Sequence, residues 1–250
     1  MFQRAKIMKA QVLHDESKIL GFEVIKLSDW FNCDEIINFT SHLHQNQAKA
    51  YIYTEISATR LSDISLLESF GFRFSEFRIQ MFLDLEDLDD YTKAFYPLKA
   101  DLITNQEDLN QAKEFLSVSK SDDRFSSDPE IPVDFSIKRN LANIEKSFKS
   151  YPKEWLIGIY NDQLGTLEGF WSVGVYDDEI VHLFQHATSS NKSGIYEALD
   201  NLSFSLLKSK GFRWIRAIST GYNVGEINRF ITHSCFKVSG SSVILRMIIK

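Results

Sequence analysis

Residues 178–236 constrain this chain more than any other stretch. Glu179–Ala187 (EIVHLFQHA) is an apolar run bounded by polar turns and reads as a buried strand. A polar loop, Thr188–Ser193, leads to Gly194, where a helix opens with Ile195, Leu199, Leu202 and Leu206 on one face. Gly211 closes that helix, with Lys208 and Lys210 in its last turn, where cations suit the dipole. Phe212–Thr220 reads as a second strand and Val224–Ser234 as a second helix, with Asn223 and Glu226 at capping-box spacing. Strand, loop, glycine, helix is an anion-binding arrangement, because free N–H groups point outward at the helix start and the dipole favours negative charge. Neither G-x-G-x-x-G nor G-x-x-x-x-G-K-[ST] is present, so dinucleotide and P-loop fingerprints are excluded.

The rest of the chain alternates in the same way. Phe22–Leu27, Ala50–Ile56 and Phe72–Leu85 read as strands, with helices at Asp34–Gln45 and Ser62–Phe70 between them. Glu86–Tyr96 is acidic and without a clean period, which makes it the expected linker between a unit at 1–90 and one at 97–250. From Pro97 the predicted order is β-α-α-β-β-β-α-β-α-β: strand Lys99–Thr104, helices Leu109–Leu116 and Val133–Tyr151, then strands Trp155–Tyr160 and Thr166–Tyr176 ahead of Glu179. Between the two helices lies a long polar loop, Ser117–Pro132, and loops of that length are usually functional or disordered. An echo links the two units. Ser69–Ser75 (SFGFRFS) and His233–Ser239 (HSCFKVS) both run from a helix end through a small residue and Phe into a strand. It is either an ordinary helix–turn–strand junction or the trace of a truncated internal copy.

The loop Asn191–Tyr196 resembles the coenzyme A pyrophosphate loop of the GCN5-related N-acetyltransferases, Arg/Gln-x-x-Gly-x-Gly/Ala. Gly194 holds the first glycine position, while Asn191 and Tyr196 depart from the pattern. Asn223, Glu226, Phe230, Cys235 and Phe236 stand where that superfamily often has Asn-x-x-Ala-x-x-x-Tyr-x-x-x-Gly-Phe. The element order from Pro97 is also that of the superfamily. The resemblance implies an α/β (α+β) fold: a mixed, mostly antiparallel twisted sheet flanked by helices, with a smaller partial copy at the N-terminus. Within the superfamily the two-part layout is similar to dTDP-fucosamine acetyltransferase-type enzymes, as is Arg124-Phe125-Ser126-Ser127-Asp128, which resembles their Arg-Phe-x-x-Asp loop.

The implied reaction is transfer of acetyl from acetyl-CoA to a small amine, most of all a nucleotide-linked amino sugar. The resemblance assigns pantetheine contacts to the backbone of Gln185, His186, Ala187 and Thr188. It gives the pyrophosphate to Asn191, Lys192, Ser193, Gly194 and Ile195, a pantetheine contact to Asn223, and the acceptor to Arg124, Phe125 and Asp128. His182, Phe184 and His186 share one strand face by period two, and His182 is the candidate base; two hydrogen-bonded structural histidines are the alternative. Phe230 occupies the position of the usual tyrosine acid, so Tyr222 is the candidate substitute. Tyr196 and Phe230 together keep open a non-catalytic binding or assembly protein, and a peptide or polyamine acceptor is a third reading.

Charge and composition narrow the class. A net charge of −6 and the lack of a long basic run argue against nucleic acid and anionic membranes as partners. The N-terminal stretch lacks an apolar signal core and no run reaches the ~18 residues of a membrane span, so the expectation is a cytoplasmic protein. Cys33 and Cys235 lack metal spacing, and the adjacent pairs Asp177-Asp178 and Asp89-Asp90 point apart, so no metal is expected. The apolar stretch Val243–Ile249 (VILRMII) reads either as an edge strand for a homodimer or as an internal strand.

Overall fold

The computed structural model describes residues 8–28, 33–46, 49–88, 95–119, 123–189 and 194–250. The first unit runs β1 (Lys9–Val12), α1 (His14–Leu20), β2 (Glu23–Ser28), α2 (Cys33–Gln45), β3 (Ala50–Ser57), α3 (Leu61–Ser69) and β4 (Arg73–Asp84). The second runs β5 (Leu98–Leu102), α4 (Gln106–Val118), α5 (Phe135–Lys149), β6 (Glu154–Asn161), β7 (Thr166–Val175), β8 (Ile180–Thr188), α6 (Ile195–Ser209), β9 (Trp214–Thr220), α7 (Val224–Thr232) and β10 (Lys237–Ile249). The order expected after Pro97 is the order found. The sequence reading missed β1 and α1, short elements without enough residues to establish a period.

All the strands join one sheet in the order β1-β2-β3-β10-β4-β9-β8-β7-β6-β5. Among the described residues only β2/β3 and β8/β9 are parallel. Val243–Ile249 is therefore internal: β10 lies between β3 and β4, and the edge-strand reading is corrected. Its apolar residues are explained by burial on both faces, with Val243, Leu245 and Met247 in one cluster and Ile244 in another.

The sheet has an internal two-fold. In the β4/β10 ladder Arg73 pairs with Arg246 and Lys237 with Phe82, while Arg78 faces Ser242 at the centre. The echo supplies the equivalence, with Phe72 matching Phe236 and Arg78 matching Ser242, so the central pair sits on the axis. Helices α3 and α7 are both nine residues long and match end to end, with one extra residue between α7 and Phe236. Both junctions turn through the left-handed region, Gly71 at φ 95° and Cys235 at φ 57°. Both following phenylalanines are buried, their N–H groups donating back to Leu67 O (3.1 Å) and Phe230 O (2.9 Å). Each unit thus sends its last strand beside the other unit's second parallel strand.

Alternating side chains divide the core. Phe77 packs with α2 and α3, while Ile79 and Met81 on the same face of β4 pack with α6 and α7. Leu156 and Phe170 point to the opposite face, under α4 and α5. A further cluster joins the long loop to the first unit: Phe125, Ile131 and Phe135 pack on Tyr51, Tyr53 and Ile244. Among the described residues no helix is long and apolar enough to cross a membrane.

Candidate active site

The two parallel strand pairs position the site. β8 and β9 pair at only three positions, Ile180↔Trp214, Val181↔Ile215 and His182↔Arg216. Beyond them β8 continues to Thr188 and β9 to Thr220 without pairing to each other. A register shift between β7 and β8 leaves Phe184 as an extra residue, so His182, opposite Gly174, and His186, opposite Trp171, fall on opposite faces of the sheet, and the shared face expected from period two is corrected. The freed edge of β8 carries backbone groups that an extended ligand can pair with.

A cavity of about 470 Å³ opens beside this wedge, on the α5 face of the sheet. His182 lines it with Nε2 buried and without a hydrogen-bond partner among the described residues. Its ring stacks on Tyr176 (5.2 Å between centroids), and burial, then the nearby Arg216 charge, hold its pKa below the usual 6.5. At neutral pH it is an uncharged imidazole able to take a proton. Gln185 donates from Nε2 to Asn140 Oδ1 (2.6 Å), and its Oε1 has no partner among the described residues. Asn223 lines the cavity too, and caps α7 by accepting from the Glu226 N–H at 3.2 Å. The expected capping box is half formed: the Asn223 N–H goes to Thr220 O (3.0 Å), and the Glu226 carboxylate accepts from Ser219 Oγ instead.

Behind the wedge lies a buried polar cluster. His186 packs against Trp171 at a tilt (4.2 Å between centroids), with Tyr196 at its edge (5.7 Å). Arg229 reaches His186 Nε2 (3.3 Å) and pairs through Nε with Asp200 Oδ2 (3.0 Å). Trp171 Nε1 and Ser234 Oγ also donate to Asp200, each at 3.1 Å. Burial, then Arg229, holds His186 well below the ordinary imidazole range. Burial raises Asp200 to about 6 despite Arg229. The Tyr196 ring turns inward under the Arg229 guanidinium (4.9 Å), rather than out over the helix start. Gly194 stands at the N-cap of α6 at φ 86°, and a Cβ there would meet nothing within 4 Å. Glycine is required by the backbone conformation, and no described residue fills the space its side chain would take.

The structure separates the other sequence candidates. Asn191, Lys192 and Ser193 lie outside the described residues. Ala187 and Thr188 are buried at the end of β8, beside Gln185 and His186. Ile195 begins α6. Tyr222 is half-exposed and does not line the cavity; burial and Glu76 raise its pKa. Phe230 is 2% exposed, packed on Trp171 and Phe236 in the core.

Arg124, Phe125 and Asp128 do not gather over the cavity. Phe125 is 1% exposed, Arg124 is clamped between the Tyr53 and Phe125 rings (4.2 and 4.3 Å), and Arg246 grips Asp128 through Nε (2.7 Å) and Nη2 (2.8 Å). The loop fastens the second unit to the first, and charge pairing compensates its buried ions. The sequence reading missed Arg216, Tyr176 and Asn140. Arg216 left one signal, a charge between inward-facing Ile215 and Ala217, marking a strand face that needs no apolar cover. Among the described residues no group of three or more His, Cys, Asp or Glu could hold a metal ion.

No protein-family model matches the sequence, and no curated protein matches it. Solved structures do. A GCN5-related N-acetyltransferase from Sphaerobacter thermophilus superposes with a TM-score of 0.63 at 15% identity, over 97% of this chain and 77% of its own. A tandem protein of that superfamily from the clavulanic acid biosynthesis pathway gives 0.60 at 11%, over 91% and 75%. A conserved protein of unknown function from Staphylococcus epidermidis gives 0.66 at 9%, over 100% and 94%. This chain has the fold of the GCN5-related N-acetyltransferases. At these identities the likeness is one of fold, and the chemistry rests on the site itself.

Proposed function

We propose that the protein is an acetyl-CoA-dependent N-acetyltransferase acting on a small amine, with a nucleotide-linked amino sugar as the favoured acceptor. The observation that carries this reading is the parting of β8 from β9 beside a cavity lined by His182, whose buried Nε2 has no partner among the described residues. The residues fit an acyl-CoA. The unpaired edge of β8 suits an amide-bearing pantetheine chain, and the open helix start at Gly194 suits a pyrophosphate. An amine in the cavity lies on the His182 side of that edge.

In the reaction the amine nitrogen attacks the thioester carbonyl carbon. The C–N bond forms, the C–S bond breaks, and the proton lost by nitrogen passes to His182 Nε2. Phe230 is buried and Tyr222 does not line the cavity, so neither serves as an acid to the departing sulfur. A thiol with an ordinary pKa of about 8.5 leaves as thiolate and takes its proton from water.

The same buried Phe230 favours a second reading, a coenzyme A-binding protein without turnover. Titration of the protein with acetyl-CoA, and with free coenzyme A alongside, tests both. Micromolar binding with thiol release on adding amines is the expected result. Binding without release selects the second reading, and no binding at millimolar concentration sinks both.

A further inference from the structure

The charges around the cavity pair off in a way that leaves one over. Arg78 Nε holds Glu76 (2.9 Å) and its Nη1 holds Glu55 (3.3 Å). Arg139 holds Glu16 (2.7 Å) and faces Asp123 (3.7 Å). Lys146 faces Glu154 (3.5 Å), whose other oxygen accepts from Ser147 Oγ (2.9 Å). Glu226 is engaged by Ser219 and lies 3.5 Å from His186 Nδ1. Each carboxylate that lines the cavity thus already has a cation or a hydroxyl. Arg216 differs: it lines the same cavity, is exposed, and forms no ion pair among the described residues.

Its position is directly informative. Arg216 is the ladder partner of His182, on the last rung before the strands part. Its guanidinium lies 5.4 Å from the centroid of the Tyr176 ring, the ring that also stacks on His182. Tyr176 therefore contacts both the candidate base and the unpaired cation, which the ladder sets side by side. A guanidinium so placed presents a planar fork of donors matched to phosphate or carboxylate oxygens.

We infer that Arg216 is a specificity-determining residue that selects an acceptor amine carrying an oxyanion, a phosphate or a carboxylate, and disfavours polyamines. The inference rests on the acetyltransferase reading for the word acceptor, but the oxyanion site can be tested without turnover.

Isothermal titration of the full chain with glucosamine, glucosamine 6-phosphate, muramic acid and spermidine provides the test. The expected result is that at least one oxyanion-bearing amine binds about tenfold or more tightly than glucosamine, the span of a charge-assisted hydrogen bond. In Arg216→Gln that ratio falls toward one. Arg216→Lys keeps part of it, because the charge stays while the fork is lost. An unshifted melting curve confirms that both variants are folded. Tighter binding of glucosamine or spermidine, no binding of any of the four, or an unchanged ratio in Arg216→Gln would each overturn the inference. Coenzyme A is titrated separately. If coenzyme A fails to bind while the oxyanion preference holds, the acetyl-transfer reading falls and the Arg216 site stands. If coenzyme A binds and the oxyanion preference is absent, the Arg216 site falls and the acetyl-transfer reading stands.

Discussion

The two parallel strand pairs are counterparts under the internal two-fold, yet one is closed and the other open. β2 and β3 pair over five positions, from Glu23↔Ala50 to Leu27↔Thr54, and the Thr54 hydroxyl donates across to Leu27 O at 3.2 Å. β8 and β9 stop after three. Lys26 and Tyr53 occupy the rung that His182 and Arg216 occupy in the second unit. Tyr53 is covered by Arg124 and the loop around Phe125, whereas Arg216 and His182 face a cavity. One βαβ topology thus yields a packed core or a candidate site. The difference lies in the bulge at Phe184 and in which face the long loop fills. The lesson is that fold repeats while function follows the covering side chains.

Substitutions at paired positions sharpen this contrast. The largest effect belongs to His182→Gln, expected to lower acetyl transfer at least about 10²-fold, the usual worth of a positioned base. Lys26→Gln on the matching rung is expected to leave the rate unchanged. Thiol release measured on both variants decides the point, and equal losses would break the comparison.

Next come α7 and α3. Arg229 is buried against Asp200, while its counterpart Leu66 is 42% exposed. Arg229→Met strands a buried carboxylate and is expected to cost about 3 kcal/mol in denaturant unfolding. Leu66→Met is expected to change stability by less than about 0.5 kcal/mol. Smaller still is the effect at the matched junctions. Cys235→Gly relieves a left-handed non-glycine residue and is expected to stabilise by about 1 kcal/mol. Gly71→Ala is expected to lose a similar amount. Its Cβ meets only Met247 Cε at an ordinary 3.6 Å, so the loss is conformational.

The smallest effect is on pH dependence. His182 must be unprotonated to act, and burial and Arg216 hold its pKa below 6.5. Activity therefore falls as pH drops through a value under 6.5 and is level at neutral pH. Removing the Arg216 charge moves that inflection upward. A rate profile of Arg216→Gln with its inflection at or below that of the unmodified protein would contradict the assignment.

Local signals in the sequence carried a large part of this. Ile195, Leu199 and Leu202 at helical spacing, the apolar run of β8 between polar turns, and the glycines at 71, 194 and 211 located the elements, because backbone propensity and amphipathic period act over a few residues. The echo around Phe72 and Phe236 held the two-fold in view, since a left-handed turn before a buried Phe is a local requirement. What the sequence did not disclose was strand partnership. That β10 inserts between β3 and β4, that β8 parts from β9, and that Phe125 packs in the core are outcomes of contacts between residues far apart in the chain. The pairing of His182 with Arg216 is of the same kind. Each lies on the polar face of its own strand, and only the register of a parallel ladder joins the two elements across a helix.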